Sequence, residues 1–205
     1  MVRRFGLWVS VVGLALSACE GGDGDGGEGD AITEEAAAAF DGVYRMTSWT
    51  ENPDGCEAPG EDVLESEMDT HLVLVSTRIF GQTLLMVVSC AGEDDCADKA
   101  SAIENEEGFG ARLNLAMSEQ LAMDDLRGFT AWTGFERDGV CTEREYEGHA
   151  AGLAGETLTV TTEVFALEDQ PPDEDGFCFA EGRAVQKEAE GAPCVRRTEI
   201  VAERE

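Results

Sequence analysis

THLVLVSTRIF (residues 70–80), GQ (81–82) and TLLMVVS (83–89) decide the fold of this chain. The two outer runs are β-branched and aliphatic, the composition that packs best on a pleated surface. The glycine-led pair between them is a hairpin signal. Near their middles both runs are apolar at successive positions, so both faces of this hairpin are covered and a second element lies on its outer side.

Period two extends outward from this hairpin. Residues 42–50 (GVYRMTSWT) read as a strand followed by the turn Asn52-Pro53-Asp54-Gly55. Residues 111–117 alternate Leu113, Leu115 and Met117 against Arg112, Asn114 and Ala116. Residues 129–136 and 141–148 flank Arg137-Asp138-Gly139-Val140, whose Asp-Gly is the strongest turn signal in the chain. Residues 156–165 put Leu158, Val160, Thr162 and Val164 on one face, and strands at 177–185 and 194–202 close the series. Helical candidates are short, at 94–106 and 118–126. Eight or nine strands joined mostly by tight turns predict an all-β antiparallel meander. Closure into a barrel, full or nearly so, removes the exposed edges; a two-sheet sandwich is the alternative.

The chain has 205 residues, with 44 Asp+Glu against 14 Lys+Arg. Such an acidic balance excludes nucleic acid as a partner, because phosphate binding rests on Lys and Arg. The acids also oppose adsorption to anionic lipid headgroups. Residues 20–30 (EGGDGDGGEGD) carry six glycines and five acids and nothing to bury. They read as a self-repelling flexible spacer, within a tether spanning 19–39 ahead of a single domain at 40–205.

The amino terminus supplies an address. Arg3 and Arg4 precede an apolar run from Phe5 to Leu16, the layout of an export signal over residues 1–18. A membrane span needs about twenty apolar residues, and this run is shorter. Leu16-Ser17-Ala18-Cys19 resembles a bacterial lipobox. The resemblance implies cleavage before Cys19, a diacylglycerol thioether on its sulfur, and acylation (palmitate) of the new amine. Several acyl chains together anchor stably where one does not. The expected product is a lipid-anchored envelope lipoprotein of formal charge about −32. Glu20, rather than Asp, follows Cys19, which favours delivery to the outer membrane.

Setting Cys19 aside leaves Cys56, Cys90, Cys96, Cys141, Cys178 and Cys194. An even count behind an export signal reads as three disulfides, with 15 possible pairings. No Cys-x-x-Cys occurs, and His71 and His149 are too far apart for a zinc pair. Local spacing favours Cys90–Cys96 and Cys178–Cys194, which leaves Cys56–Cys141.

Phe40-Asp41-Gly42-Val43-Tyr44 is similar to the Gly-x-Trp opening of the first lipocalin strand, with Tyr44 where tryptophan is usual. That resemblance implies a lipocalin-like barrel whose floor is covered by an arginine near the end of the chain, Arg196 or Arg197. Tyr44, Trp49, Trp132 and Tyr146 lie on predicted strands and are the candidates for lining a pocket for a small apolar ligand.

Catalytic chemistry finds no clear seat. There is no Gly-x-Ser-x-Gly elbow, no phosphate-cradling loop before a helix, and no cofactor motif. Glu143, Glu145 and Glu147 alternate onto one strand face, read as solvated. Asp173, Asp175 and Gly176 have EF-hand-like spacing, but Pro171 holds the first ligand position, and Glu181 falls one residue before the closing position. Asp173, Asp175 and Glu181 are therefore the metal candidates. The expected function is non-catalytic: binding a small apolar ligand or an envelope protein. A filled-core structural lipoprotein, a carboxylate-based hydrolase and a weak calcium binder are the alternatives.

Overall fold

The computed structural model describes residues 30–57, 60–79, 81–105, 111–132, 136–137, 139–142, 144–172, 178 and 188–205. In chain order its elements are β1 (Asp30–Ala31), α1 (Glu34–Phe40), β2 (Gly42–Asn52), β3 (Glu61–Asp62), a 3-10 turn (Leu64–Ser66), β4 (His71–Ile79), β5 (Gln82–Cys90) and α2 (Glu93–Glu104). They continue with β6 (Asn114–Met117), β7 (Glu119–Ala122), β8 (Asp125–Trp132), β9 (Glu136–Arg137), β10 (Val140–Cys141), β11 (Glu145–Ala154), β12 (Thr157–Ala166) and β13 (Cys194–Arg204).

Strands β4 and β5 form the expected hairpin, from His71 opposite Cys90 to Ile79 opposite Gln82, around Gly81 at φ +83°. Its two faces enter two cores. Leu72, Leu74, Leu85 and Val87 face the main core. Val73, Val88 and Cys90 face Cys96 and Ile103 of α2, which is the cover that the doubly apolar sequence required. The helix is held by a Cys90–Cys96 disulfide and by Lys99, which reaches Asp95 at 2.8 Å and the Ser89 carbonyl at 2.8 Å. Glu93, Asp94 and Asp95 in its first turn complement the helix dipole.

Eleven strands form one sheet in the order β1-β7-β8-β11-β12-β13-β2-β4-β5-β6, with β3 beside β2. All these pairings are antiparallel. Tyr44 and Met46 of β2, Leu115 and Met117 of β6, Leu126 of β8, Ala151 of β11, Leu158 and Val160 of β12, and Ile200 and Ala202 of β13 share one core. The sheet therefore curls around a single interior.

It does not close, and the predicted barrel is corrected on this point. Strands β6 and β7 follow one another across Ser118 but pair with different neighbours, β6 with β5 and β7 with β8. The chain turns a corner there: the Ser118 amide donates to the Arg127 carbonyl (2.7 Å). Gly128 lies against the Ala116 backbone so closely that any Cβ would overlap the carbonyl oxygen. The large strands also belong to one sheet, not to two stacked ones.

Other expectations shift. The helix predicted at 118–126 is β7, a tight turn and the start of β8, because pairing with β1 and β11 overrides local propensity. The ladder of β8 with β11 lies at 125–132 and 145–152, set by the core residues Leu126 and Ala151 opposite each other. Gly139, at φ +82°, lies between only the two-residue β9 and β10, and Asp138 of the expected turn lies outside the described residues. Residues 30–39, expected in the tether, form β1 and most of α1 and bury Ile32, Ala36 and Ala37. Thr33 caps α1 by accepting the Ala36 amide (3.2 Å). The strand predicted at 177–185 lies almost entirely outside the described residues.

Three disulfides are present: Cys90–Cys96, Cys56–Cys194 and Cys141–Cys178. The last two correct the expected Cys178–Cys194 and Cys56–Cys141. Cys194 opens β13, beside β2 and the turn carrying Cys56 (Cα–Cα 5.8 Å), so sheet order rather than chain proximity selects the partners.

Candidate functional site

Strand β11 places small residues on its outer face. Tyr146, Gly148, Ala150 and Gly152 alternate with Glu147, His149 and Ala151, and Ala151 lies in the main core. Gly148 stands opposite Phe129 of β8 on one side and Glu163 of β12 on the other. With no side chain at Gly148 and only a methyl at Ala150, the outer face sinks into a half-open depression of about 350 Å³. Its wall is aromatic: Phe129 stacks on Tyr146 with centroids 5.8 Å apart. Phe165 lies behind Tyr146 at 6.2 Å, backed by Leu167 and Ala189. Arg127, Glu119, Thr161 and Glu163 make the polar rim.

The segment behind this wall is held by Arg144, whose guanidinium is almost fully buried. It binds both Glu188 carboxylate oxygens (2.7 and 2.8 Å) and the Glu168 carbonyl (2.6 Å). Tyr146 is only 8% exposed, and its hydroxyl has no hydrogen-bond partner among the described residues. Burial, with Glu119 adding to it against the weaker effect of Arg127, pushes the phenol up to about 12. It stays protonated and is available as a donor.

His149 occupies the inner face behind the depression. Its ring nitrogens meet the hydroxyls of Thr130 and Thr162, each at 3.2 Å. Burial lowers its pKa to about 4, so the imidazole is neutral, with one nitrogen donating and the other accepting. Glu147 shares this inner face, so the acidic face read as solvated runs into the core at Ala151. Glu147 is 3.5 Å from Arg196.

Of the aromatic pocket candidates, Tyr146 alone among the described side chains reaches the depression. Tyr44 is fully buried in the core. Trp49 is buried with its indole N–H unpartnered among the described residues, and Arg112 lies over its ring at 5.3 Å. The Trp132 side chain lies outside the described ones. Arg196 and Arg197 pair with Glu147, Glu163 and Glu199 along β11, β12 and β13; the arginine that covers Tyr44 is Arg204. Phe129, Arg127 and the glycine–alanine floor were missed; the signal for them was the small-residue alternation Gly148, Ala150, Gly152.

Cys19 and the metal candidates Asp173, Asp175 and Glu181 lie outside the described residues. Among the described residues no group of three His, Cys, Asp or Glu is placed to hold a metal ion, and no helix is long and apolar enough to cross a membrane. The Ser89 hydroxyl is fully used, donating to Asp69 (2.5 Å) and accepting the Leu113 amide (3.0 Å). Compared with known proteins, the chain matches no family model, no curated protein and no solved structure.

Proposed function

We propose that this chain is a lipid-anchored envelope lipoprotein, held on the outer membrane through acylated Cys19, whose β domain is a non-catalytic module that binds a small ligand. The anchor is supported by Leu16-Ser17-Ala18-Cys19 behind a basic and apolar leader. Three disulfides are compatible with export. The likeness to lipocalins is supported by Arg204 lying over Tyr44, the residue at the usual tryptophan position.

The observation that carries binding is the depression beside Phe129 and Tyr146, which has an aromatic wall and a few convergent polar groups. It lies on the outside of the sheet. The interior candidates Tyr44 and Trp49 are packed as core, which supports a site on the outside over one in a central cup. A second reading is docking of an envelope protein on the hairpin of β7 and β8, which exposes Leu121 and Met123.

Native mass spectrometry of the protein extracted from its own host separates the two. A co-purifying small molecule supports the first reading, a co-purifying protein the second, and neither overturns both. For the anchor, Cys19→Ala moves the protein out of the membrane fraction and abolishes palmitate labelling; retention of the label overturns lipidation.

A further inference from the structure

Arg127 is anomalous in so acidic a chain. Arg45, Arg78, Arg112, Arg144, Arg196 and Arg197 each hold a carboxylate. Arg204 holds the Tyr44 hydroxyl and the Ala39 carbonyl. The Arg127 side chain alone among the described arginine side chains has neither an ion pair nor a hydrogen bond. It projects on the outer face of β8, opposite Ala150 and two residues from Phe129, at the rim of the depression. The second group there without a hydrogen-bond partner among the described residues is the Tyr146 hydroxyl, the accessible end of a residue that is otherwise mostly buried. Both groups are donors. Of the two acids at the rim, Glu163 lies 3.4 Å from Arg197, and Glu119 stands opposite Arg127 in the ladder of β7 with β8.

We propose that the depression binds a small monocarboxylate with an aromatic or apolar body, the carboxylate on Arg127 and the Tyr146 hydroxyl and the body against Phe129 over Gly148 and Ala150. This rests on the binding-module reading and names its ligand class. A carboxylate supplies the acceptors that the two donors lack, and its hydrogen bonds to guanidinium are charge-assisted. Glu119 and Glu163 repel a second negative charge, which selects a monoanion over a phosphate. A volume of about 350 Å³ is at the small end of ligand sites, which run from roughly 300 to 1,000 Å³, and suits a compact body.

The test is calorimetry on the processed chain (residue 19 onward, Cys19→Ser, disulfides oxidised) with four probes sharing one ring: phenylacetate, 2-phenylacetamide, phenethylammonium and phenyl phosphate. Phenylacetate is expected to bind at about millimolar affinity, in keeping with its size, and at least tenfold more tightly than the other three. Arg127→Gln, an exposed change that leaves the fold intact by circular dichroism, weakens phenylacetate at least tenfold. Tyr146→Phe, which keeps the stack on Phe129, weakens it about threefold or more, the scale of one hydrogen bond. Equal binding of the amide, or unchanged binding by Arg127→Gln, overturns the carboxylate. Preference for phenethylammonium overturns it too while keeping the depression as a binding site. No binding of any probe by a protein that carries a small molecule from its host overturns this ligand class and spares the broader reading.

Discussion

The guanidinium of Arg204, in the last strand, lies over the ring of Tyr44, in the first long strand, 5.1 Å from the ring centroid. Arg204 also donates to the Tyr44 hydroxyl and to the Ala39 carbonyl, while the Tyr44 hydroxyl donates to Phe40 O (2.9 Å). One arginine therefore ties β13 to β2 and both to the end of α1. A cation over an aromatic face contributes about 1–2 kcal/mol when desolvated, and each hydrogen bond about 1. Arg204→Ala is expected to cost about 2 kcal/mol in urea unfolding. Tyr44→Phe, keeping the ring, costs less, and the double variant costs less than the two losses added. Strict additivity would show that the contact carries no coupling.

Gly128 is the tightest point of the sheet's corner. A Cβ there falls on the Ala116 carbonyl, which is backbone and cannot swing aside. Gly128→Ala must therefore part β6 from β8, and a loss of about 3 kcal/mol or more follows from the overlap. Gly152→Ala is the control. Its added methyl meets nothing nearer than 4.0 Å, and its cost is within about 1 kcal/mol. Equal melting temperatures for the two variants would refute the close approach.

Much of the sheet was legible in local pattern, because a half-buried strand writes its face into every second residue. Leu158, Val160 and Val164 are buried as their alternation requires. The double-faced apolar pattern of 70–89 even required a cover, which α2 supplies. What local pattern does not carry is which distant strand lies alongside. The helix expected at 118–126 and the misplaced cysteine partners both depend on the pairings of β7 with β1 and of β13 with β2. The depression failed to announce itself for a related reason. It is made by residues that are absent in bulk, Gly148 and Ala150, and bounded by side chains from β8 and β12 far away in sequence.

The disulfides close loops of very different size. Cys56 and Cys194 are 138 residues apart, Cys141 and Cys178 37, and Cys90 and Cys96 only 6. If chain entropy dominates, removing the first pair costs roughly 5 kcal/mol, the second roughly 4 and the last roughly 2. Paired Cys→Ala variants, unfolded by urea under oxidising conditions, should rank in that order. Peptide mapping without reduction should recover the same three linked pairs. A Cys178–Cys194 fragment would overturn this connectivity.

His149 gives the domain a pH dependence of defined sign. Its folded pKa is about 4, against an ordinary value near 6.5. As pH falls below about 6.5 the unfolded chain takes up a proton that the folded chain refuses, so stability drops until pH reaches about 4 and then this contribution levels off. Between pH 7 and pH 5, where exposed carboxylates stay mostly ionised, the loss from this one group is roughly 2 kcal/mol. His149→Gln keeps a donor and an acceptor for Thr130 and Thr162 but does not titrate. The variant is expected to be somewhat less stable at pH 7, because its shape differs, and to lose less on going to pH 5. Urea midpoints of both proteins at pH 7, 6 and 5 check this. Parallel slopes would mean that the ring is not held neutral between the two threonines.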